Sequence, residues 1–178
     1  MPRPILPYLI SSSLRALDRI VAPATADAHC DIPCGIYDPH AMQIAALTII
    51  RMNQLIDALE VPERGADKTE QAKYHNSLSR YIVVKEEHGE ICKREVRVIW
   101  GDYFKPEHLE KYPSLHTDVW NILKLAGKNR QEVNMQAAQD LLAATQKFAE
   151  MFWDSKGAKT MRMPSGQAVG GEIVARQA

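Results

Sequence analysis

The chain has 178 residues, with 22 basic and 22 acidic side chains and a formal charge of zero. That length allows one domain with a proper core rather than two sizeable ones, and the charge balance carries no footprint for nucleic acid or for an anionic membrane. Three cysteines, Cys30, Cys34 and Cys92, are too few for a disulfide scaffold and leave at least one thiol unpaired, which favours a reducing compartment or thiols protected by a metal.

The first 28 residues read as a leader. Pro2, Pro4 and Pro7 punctuate an apolar fragment, Ile5 to Ile10, that is short for a secretory core and far from the roughly 20 residues of a membrane span. Ala26-Asp27-Ala28 has the small-x-small pattern of a processing site, although alanine-rich linkers also produce such triplets. Cleavage there would make His29 a free amino terminus.

The next stretch, His29-Cys-Asp-Ile-Pro-Cys-Gly-Ile-Tyr-Asp-Pro39, places two thiols four positions apart, with Pro33 and Gly35 suited to a sharp turn between them and the first helix. A disulfide and an inert turn are the plain alternatives to a metal or redox site. Asp38 followed by Pro39 is a helix start signal. Apolar residues then recur at spacings of three and four from Pro39 to about Leu59, ended by Val61-Pro62-Glu63-Arg64-Gly65. A second pattern runs from about Asp67 to Trp100, with a polar turn, Lys85 to Glu90, around Gly89 that either faces solvent or borders a site. Gly101 to Pro106 interrupts it. A third helix is expected from about Ser114 to Ala126 with Gly127 as its stop, and a fourth from about Gln131 to Ser155.

Four stripes with short connections predict an all-α fold, an antiparallel up-and-down four-helix bundle with an N-terminal metal-binding hook. Residues 29–156 form that domain, and residues 157–178, which lack usable periodicity, read as a flexible tail. The chain shows no internal repeat and no phosphate-binding glycine pattern.

Thiolates favour soft or transition metals, and imidazole suits zinc, copper, iron and nickel. If His29 is the terminus, its amine and the Cys30 amide nitrogen can chelate one ion in a five-membered ring. The Cys30 and Cys34 sulfurs would complete an N₂S₂ plane, with the His29 imidazole within reach of an axial position. A square plane argues for nickel or copper(II), whereas tetrahedral ligation would argue for zinc. Anionic amide and thiolate donors make a higher oxidation state accessible, which points to one-electron chemistry.

This stretch resembles the nickel-binding hook of the nickel-containing superoxide dismutases. Trp100-Gly-Asp-Tyr-Phe-Lys-Pro106, followed by Leu109-Glu-Lys-Tyr-Pro113, resembles that family's second signature. The resemblance implies removal of the leader by a maturation protease, one nickel ion per chain cycling between Ni(II) and Ni(III), and a homohexamer, with a nickel-delivery factor as a further partner and superoxide as substrate; the leader's lack of an apolar secretory core favours the cytoplasm. It implies metal ligation by His29, Cys30 and Cys34, with Asp31 and a cis Pro33 shaping the hook. Tyr37 and Tyr103 would stand over the open side of the metal, Asp102 would orient the tyrosine region, and Lys105 would steer superoxide by its charge.

Two positions depart from the family pattern. The glutamate and arginine that hold the axial imidazole correspond here to Ala45 and His88, and a histidine cannot reproduce an always-charged guanidinium fork. Cys92, in a helical interior, is expected to be inert. The alternative functions are a Cys30/Cys34 dithiol oxidoreductase, whose spacing misses the usual two intervening residues, and a non-enzymatic helical bundle binding zinc or nickel.

Overall fold

The computed structural model describes residues 35–177, and these belong to one compact unit. They are mostly helical. Helix α1 spans His40–Asp57 and α2 spans Lys68–Val98, which runs on into a π-helical turn, Ile99–Tyr103. A short α3, His108–Lys111, precedes α4, Leu115–Gln131, and α5, Met135–Ser155. Among the described residues no helix is long and apolar enough to cross a membrane.

Each start has a local cause. The Asp38 carboxylate accepts from the His40 N–H at 2.7 Å, Asp67 from Glu70 N–H at 2.8 Å, and Asn134 from Ala137 N–H at 2.9 Å, so orphan donors of three first turns are served. Helix α1 packs against α2 and α5, and α4 packs against the same two helices. The shared core draws Met42, Ala45, Ala46 and Ile49 from α1, Cys92 and Val96 from α2, Val119, Ile122 and Ala126 from α4, and Leu141, Phe148 and Phe152 from α5. Phe148 and Phe152 are fully buried, and burying each stabilises the fold by about 2–3 kcal/mol.

Gly127 does not stop α4, which continues to Gln131. The terminus is instead supplied from α2. Lys85 is 2% exposed, and its ammonium donates to the carbonyls of Asn129, Arg130 (3.1 Å) and Glu132 (2.8 Å). The Asn129 side-chain amide donates to Leu125 O and to Ala137 O in α5. Burial pushes the Lys85 ammonium below its usual range, while Glu86 and Glu132 pull it back. The polar turn around Gly89 therefore sets Lys85 and Gly89 against α4 and leaves Glu86 and Glu87 exposed. A Cβ at Gly89 would lie 2.6 Å from Arg130 Cγ, so glycine makes room for the Arg130 stem, whose guanidinium pairs with Glu86 and Glu90.

Gly101 does not interrupt the second helix outright either. The Phe104 N–H bonds to Ile99 O, five residues back, so the chain widens into a π turn before leaving the helix.

The largest correction concerns the tail. Residues after Lys156 form an antiparallel hairpin, β1 (Thr160–Pro164) with β2 (Glu172–Arg176), in the register Arg162 to Val174 and Met163 to Ile173. Strand β1 is largely exposed, so its sequence has no inward alternation to read. Ile173 and Val174 are buried, and at Gly171, with φ of +76°, a Cβ would lie 3.1 Å from Leu47 Cδ2 of α1. A side chain there would meet both backbone strain and Leu47.

Candidate metal centre

The expected metal ligands His29, Cys30 and Cys34, together with Asp31 and the expected cis Pro33, lie outside the described residues. Among the described residues, no group of three His, Cys, Asp or Glu side chains is placed to hold a metal ion. What the structure describes is the segment leaving the hook and the aromatic surface formed around the second signature.

Tyr37 and Tyr103 are brought together. Both are half-buried, and their rings lie 5.7 Å apart at 58°. The π turn carries Tyr103 onto Phe152 of α5 at 4.7 Å, and Phe104 flanks it at 5.1 Å. His108 stacks on Tyr103 at 5.7 Å and 20° and meets Phe104 edge-on at 5.5 Å. The Lys105 N–H donates to His108 Nδ1 at 2.9 Å, so a neutral His108 carries its proton on Nε2. The Lys105 side chain is exposed, as is Asp102.

The Tyr103 phenol has a defined direction. Ser155 Oγ donates its one hydrogen to Phe152 O at 2.7 Å and lies 2.7 Å from the Tyr103 oxygen. A hydroxyl has a single hydrogen and a carbonyl cannot donate, so Tyr103 donates to Ser155 and keeps its lone pairs for other donors. Lys156, the next residue, holds its ammonium 5.2 Å over the Tyr103 ring and 4.9 Å over Phe152, a cation–π arrangement. Ser155 and Lys156 escaped the sequence reading because nothing in Trp153-Asp-Ser-Lys156 announces a partner some 50 positions away. The sole cue was their place at the end of a helix.

Behind Phe104 lies a second polar group. The Tyr112 hydroxyl donates to Asp154 Oδ2 at 2.5 Å, and Lys111 Nζ lies 2.8 Å from the same oxygen. The hydrogen bonds from Lys111 and Tyr112 hold the Asp154 carboxyl below the usual carboxylate range. The same contact with Asp154 raises Lys111, and burial followed by the Asp154 contact raises Tyr112.

Ala45 and His88 take up plain roles in the described unit. Ala45 is a core residue, and half-buried His88 places Nδ1 2.8 Å from Val84 O on its own helix. Cys92 is a free thiol, fully buried and pushed up to about 12 by that burial, which makes it unreactive as expected.

Residues 24–156 match the family model described as nickel-containing superoxide dismutase. The chain is 36% identical over 146 residues to Superoxide dismutase [Ni] of Streptomyces coelicolor (strain ATCC BAA-471 / A3(2) / M145), an alignment covering 80% of this chain and 99% of that protein. It is 32% identical over 143 residues to Superoxide dismutase [Ni] of Streptomyces seoulensis, with the same coverage. The solved structure of native nickel superoxide dismutase superposes with a TM-score of 0.60 at 33% identity, covering 72% of this chain and 99% of that one. The apo structure gives 0.59 at 29% identity, covering 69% and 99%. The match takes in the hook stretch, the Tyr37 segment, the π turn and the end of α5 that carries Ser155, and on that extent the chain belongs to the nickel-containing superoxide dismutase family.

Proposed function

We propose that this chain is a nickel-dependent superoxide dismutase, converting two superoxide ions and two protons into oxygen and hydrogen peroxide, with the metal held by His29, Cys30 and Cys34. The family match across residues 24–156 carries this reading. The donor chemistry supports it: two thiolates, an imidazole and, after cleavage at Ala28, an amine and an amide nitrogen suit a square-planar metal that changes oxidation state. Bound there, nickel supplies the one-electron redox chemistry.

The chain's own residues supply the rest. Asp31 shapes the hook. Tyr37 and Tyr103 limit access to small anions, and because the Tyr103 phenol points its proton at Ser155, its lone pairs are what it offers to an ordered water. Lys156, over the Tyr103 ring, and the exposed Lys105 give the approach a positive potential that added salt weakens.

In this reading the four long helices form an antiparallel up-and-down bundle, consistent with α1 and α4 each packing on both α2 and α5. Residues 1–28 are removed by a maturation protease, a delivery factor supplies nickel, and the mature chains assemble as a cytoplasmic homohexamer. Amino-terminal sequencing with metal analysis and a dismutation assay on the native protein test the proposal. The expected result is His29 at the terminus and nickel stoichiometric with chain and activity; zinc in its place, or an intact leader on active protein, overturns it.

A further inference from the structure

The hairpin of β1 and β2 lies beyond residues 24–156, the part matched by the family model, yet it is fastened to the first turn of α1. Gln43 is completely buried. Its side-chain amide donates to Pro39 O at 3.2 Å and to Val174 O at 3.1 Å, and its oxygen accepts from Val174 N–H at 2.7 Å. Both polar groups of Val174 thus point away from β1, and the glutamine amide pairs with the outer edge of β2 as the peptide of another strand would. Pro39 is buried, and only four residues separate it from Cys34.

The other attachments of the hairpin are on α5. Gln146 donates to Glu172 O at 2.7 Å, and Arg162 reaches Glu150 at 3.0 Å and Gln146 Oε1 at 3.2 Å. The hairpin leaves α5 just after Ser155 and Lys156, which hold Tyr103. One C-terminal segment therefore touches both sides of the aromatic pair: Tyr103 through Ser155, and the chain carrying Tyr37 through Gln43 and Pro39.

We propose that Gln43 is a positioning residue for the metal centre, and that the C-terminal hairpin is the strap through which it acts, fixing where the hook segment leaves the helices. The link to the metal rests on the reading that residues 29–34 hold the nickel; the strap itself does not. Without the hairpin, the Gln43 amide loses two hydrogen bonds and gains water, and the first turn of α1 is free to fray.

Amide hydrogen exchange across residues 35–46 of the metal-free full chain tests the strap directly. Three variants serve: Gln43→Leu, a chain ending at Lys159, and Val174→Pro, which deletes the donor on the outer edge of β2 while sparing the ladder. Each is expected to raise exchange in this window about tenfold, the worth of a lost hydrogen bond. Gln43→Leu should add less in the shortened chain than in the full chain, because the two bonds to Val174 are already gone there and only the bond to Pro39 O is left to lose. Unchanged exchange in the shortened chain, or fully additive effects in the double variant, overturns the proposal. Should Gln43→Leu fail to fold, the shortened chain and Val174→Pro carry the same test. In nickel-loaded protein the shortened chain should show an altered EPR spectrum at unchanged nickel content, and an identical spectrum removes the positioning role. Failure of the unaltered chain to bind nickel would count against the dismutase reading while leaving the exchange result intact.

Discussion

The two ends of α5, separated by 21 residues and about 30 Å, are built from opposite materials. At the amino end, Asn134 caps the helix, Asn129 ties α4 to Ala137, and the Lys85 ammonium serves three carbonyls. At the carboxyl end, Phe152 packs among Tyr103, Trp153 and the Lys156 ammonium, and the Ser155 hydroxyl directs one phenol. A buried polar cluster holds its neighbours by atom-specific bonds and loses heavily when one partner goes. Aromatic packing is broader in its demands, and that is the end where a ring can be turned toward chemistry without dismantling the fold.

Cys92 lies on α2 in the core shared by the helices and sets the background for the comparison. Its pKa rises from an ordinary 9.0 to about 12 on burial. The folded state therefore keeps a proton that the unfolded chain gives up. The stability from this difference is fully present below pH 9 and is lost as pH rises toward 12, about 4 kcal/mol over the whole window at 1.4 kcal/mol per unit. Melting temperatures measured from pH 8 to 11 should fall, and Cys92→Ala should flatten the decline; an equal slope in the variant would show that another group is responsible.

Lys85→Met breaks the polar end. Three carbonyls at the end of α4 lose their donor, and the expected cost is about 3 kcal/mol by denaturant unfolding, with the dismutation rate of the folded fraction intact. A loss below 1 kcal/mol would mean that water serves those carbonyls as well. Gly89→Ala sharpens the same point. Alanine improves helix propensity by about 1 kcal/mol, but its Cβ would meet Arg130 Cγ at 2.6 Å, so a net loss of about 1–2 kcal/mol is expected. Adding Arg130→Ala should recover most of the packing penalty.

Ser155→Ala probes the aromatic end and has the smallest effect on stability, about 1 kcal/mol. Its signature is functional: dismutation should fall severalfold at unchanged nickel content, and Ser155→Thr should restore it. Wild-type activity in the alanine variant would show that the direction of the Tyr103 phenol is immaterial.

The same contrast explains what was legible in the sequence. The long helices announce themselves through apolar spacing, and α1 also through Asp38 at its start, signals confined to neighbouring residues; the start of α5 was placed at Gln131, which is the last residue of α4, and Asn134 is the true cap. The end of α4 was misplaced at Gly127 because its terminus is served by Lys85, more than 40 positions earlier, so no local residue carries the stop. The hairpin was missed for a related reason: β1 is exposed, only Ile173 and Val174 of β2 are buried, and the docking partner is a glutamine inside α1. For the hook, residue type narrows the chemistry to a metal site, a disulfide or an inert turn, and the family resemblance is what favours nickel; its ligands lie outside the described residues. Tyr103 was readable from its signature, but its orientation depends on Ser155, which has no signature.

The π turn at Ile99–Tyr103 has a consequence best described as a change of phase. Each residue of an α-helix advances the side chains by about 100°, and one extra residue within a turn delays everything after it by that angle. Cys92, Val96 and Ile99 face the core, and the wider turn that follows sets the bearing from which Tyr103 meets Phe152. Deleting one residue from this turn would change neither the composition of the ring cluster nor the length of its tether by much. It would nevertheless rotate Tyr103 and Phe104 away from their present bearings, so the site is encoded as much by a count of residues as by their kinds.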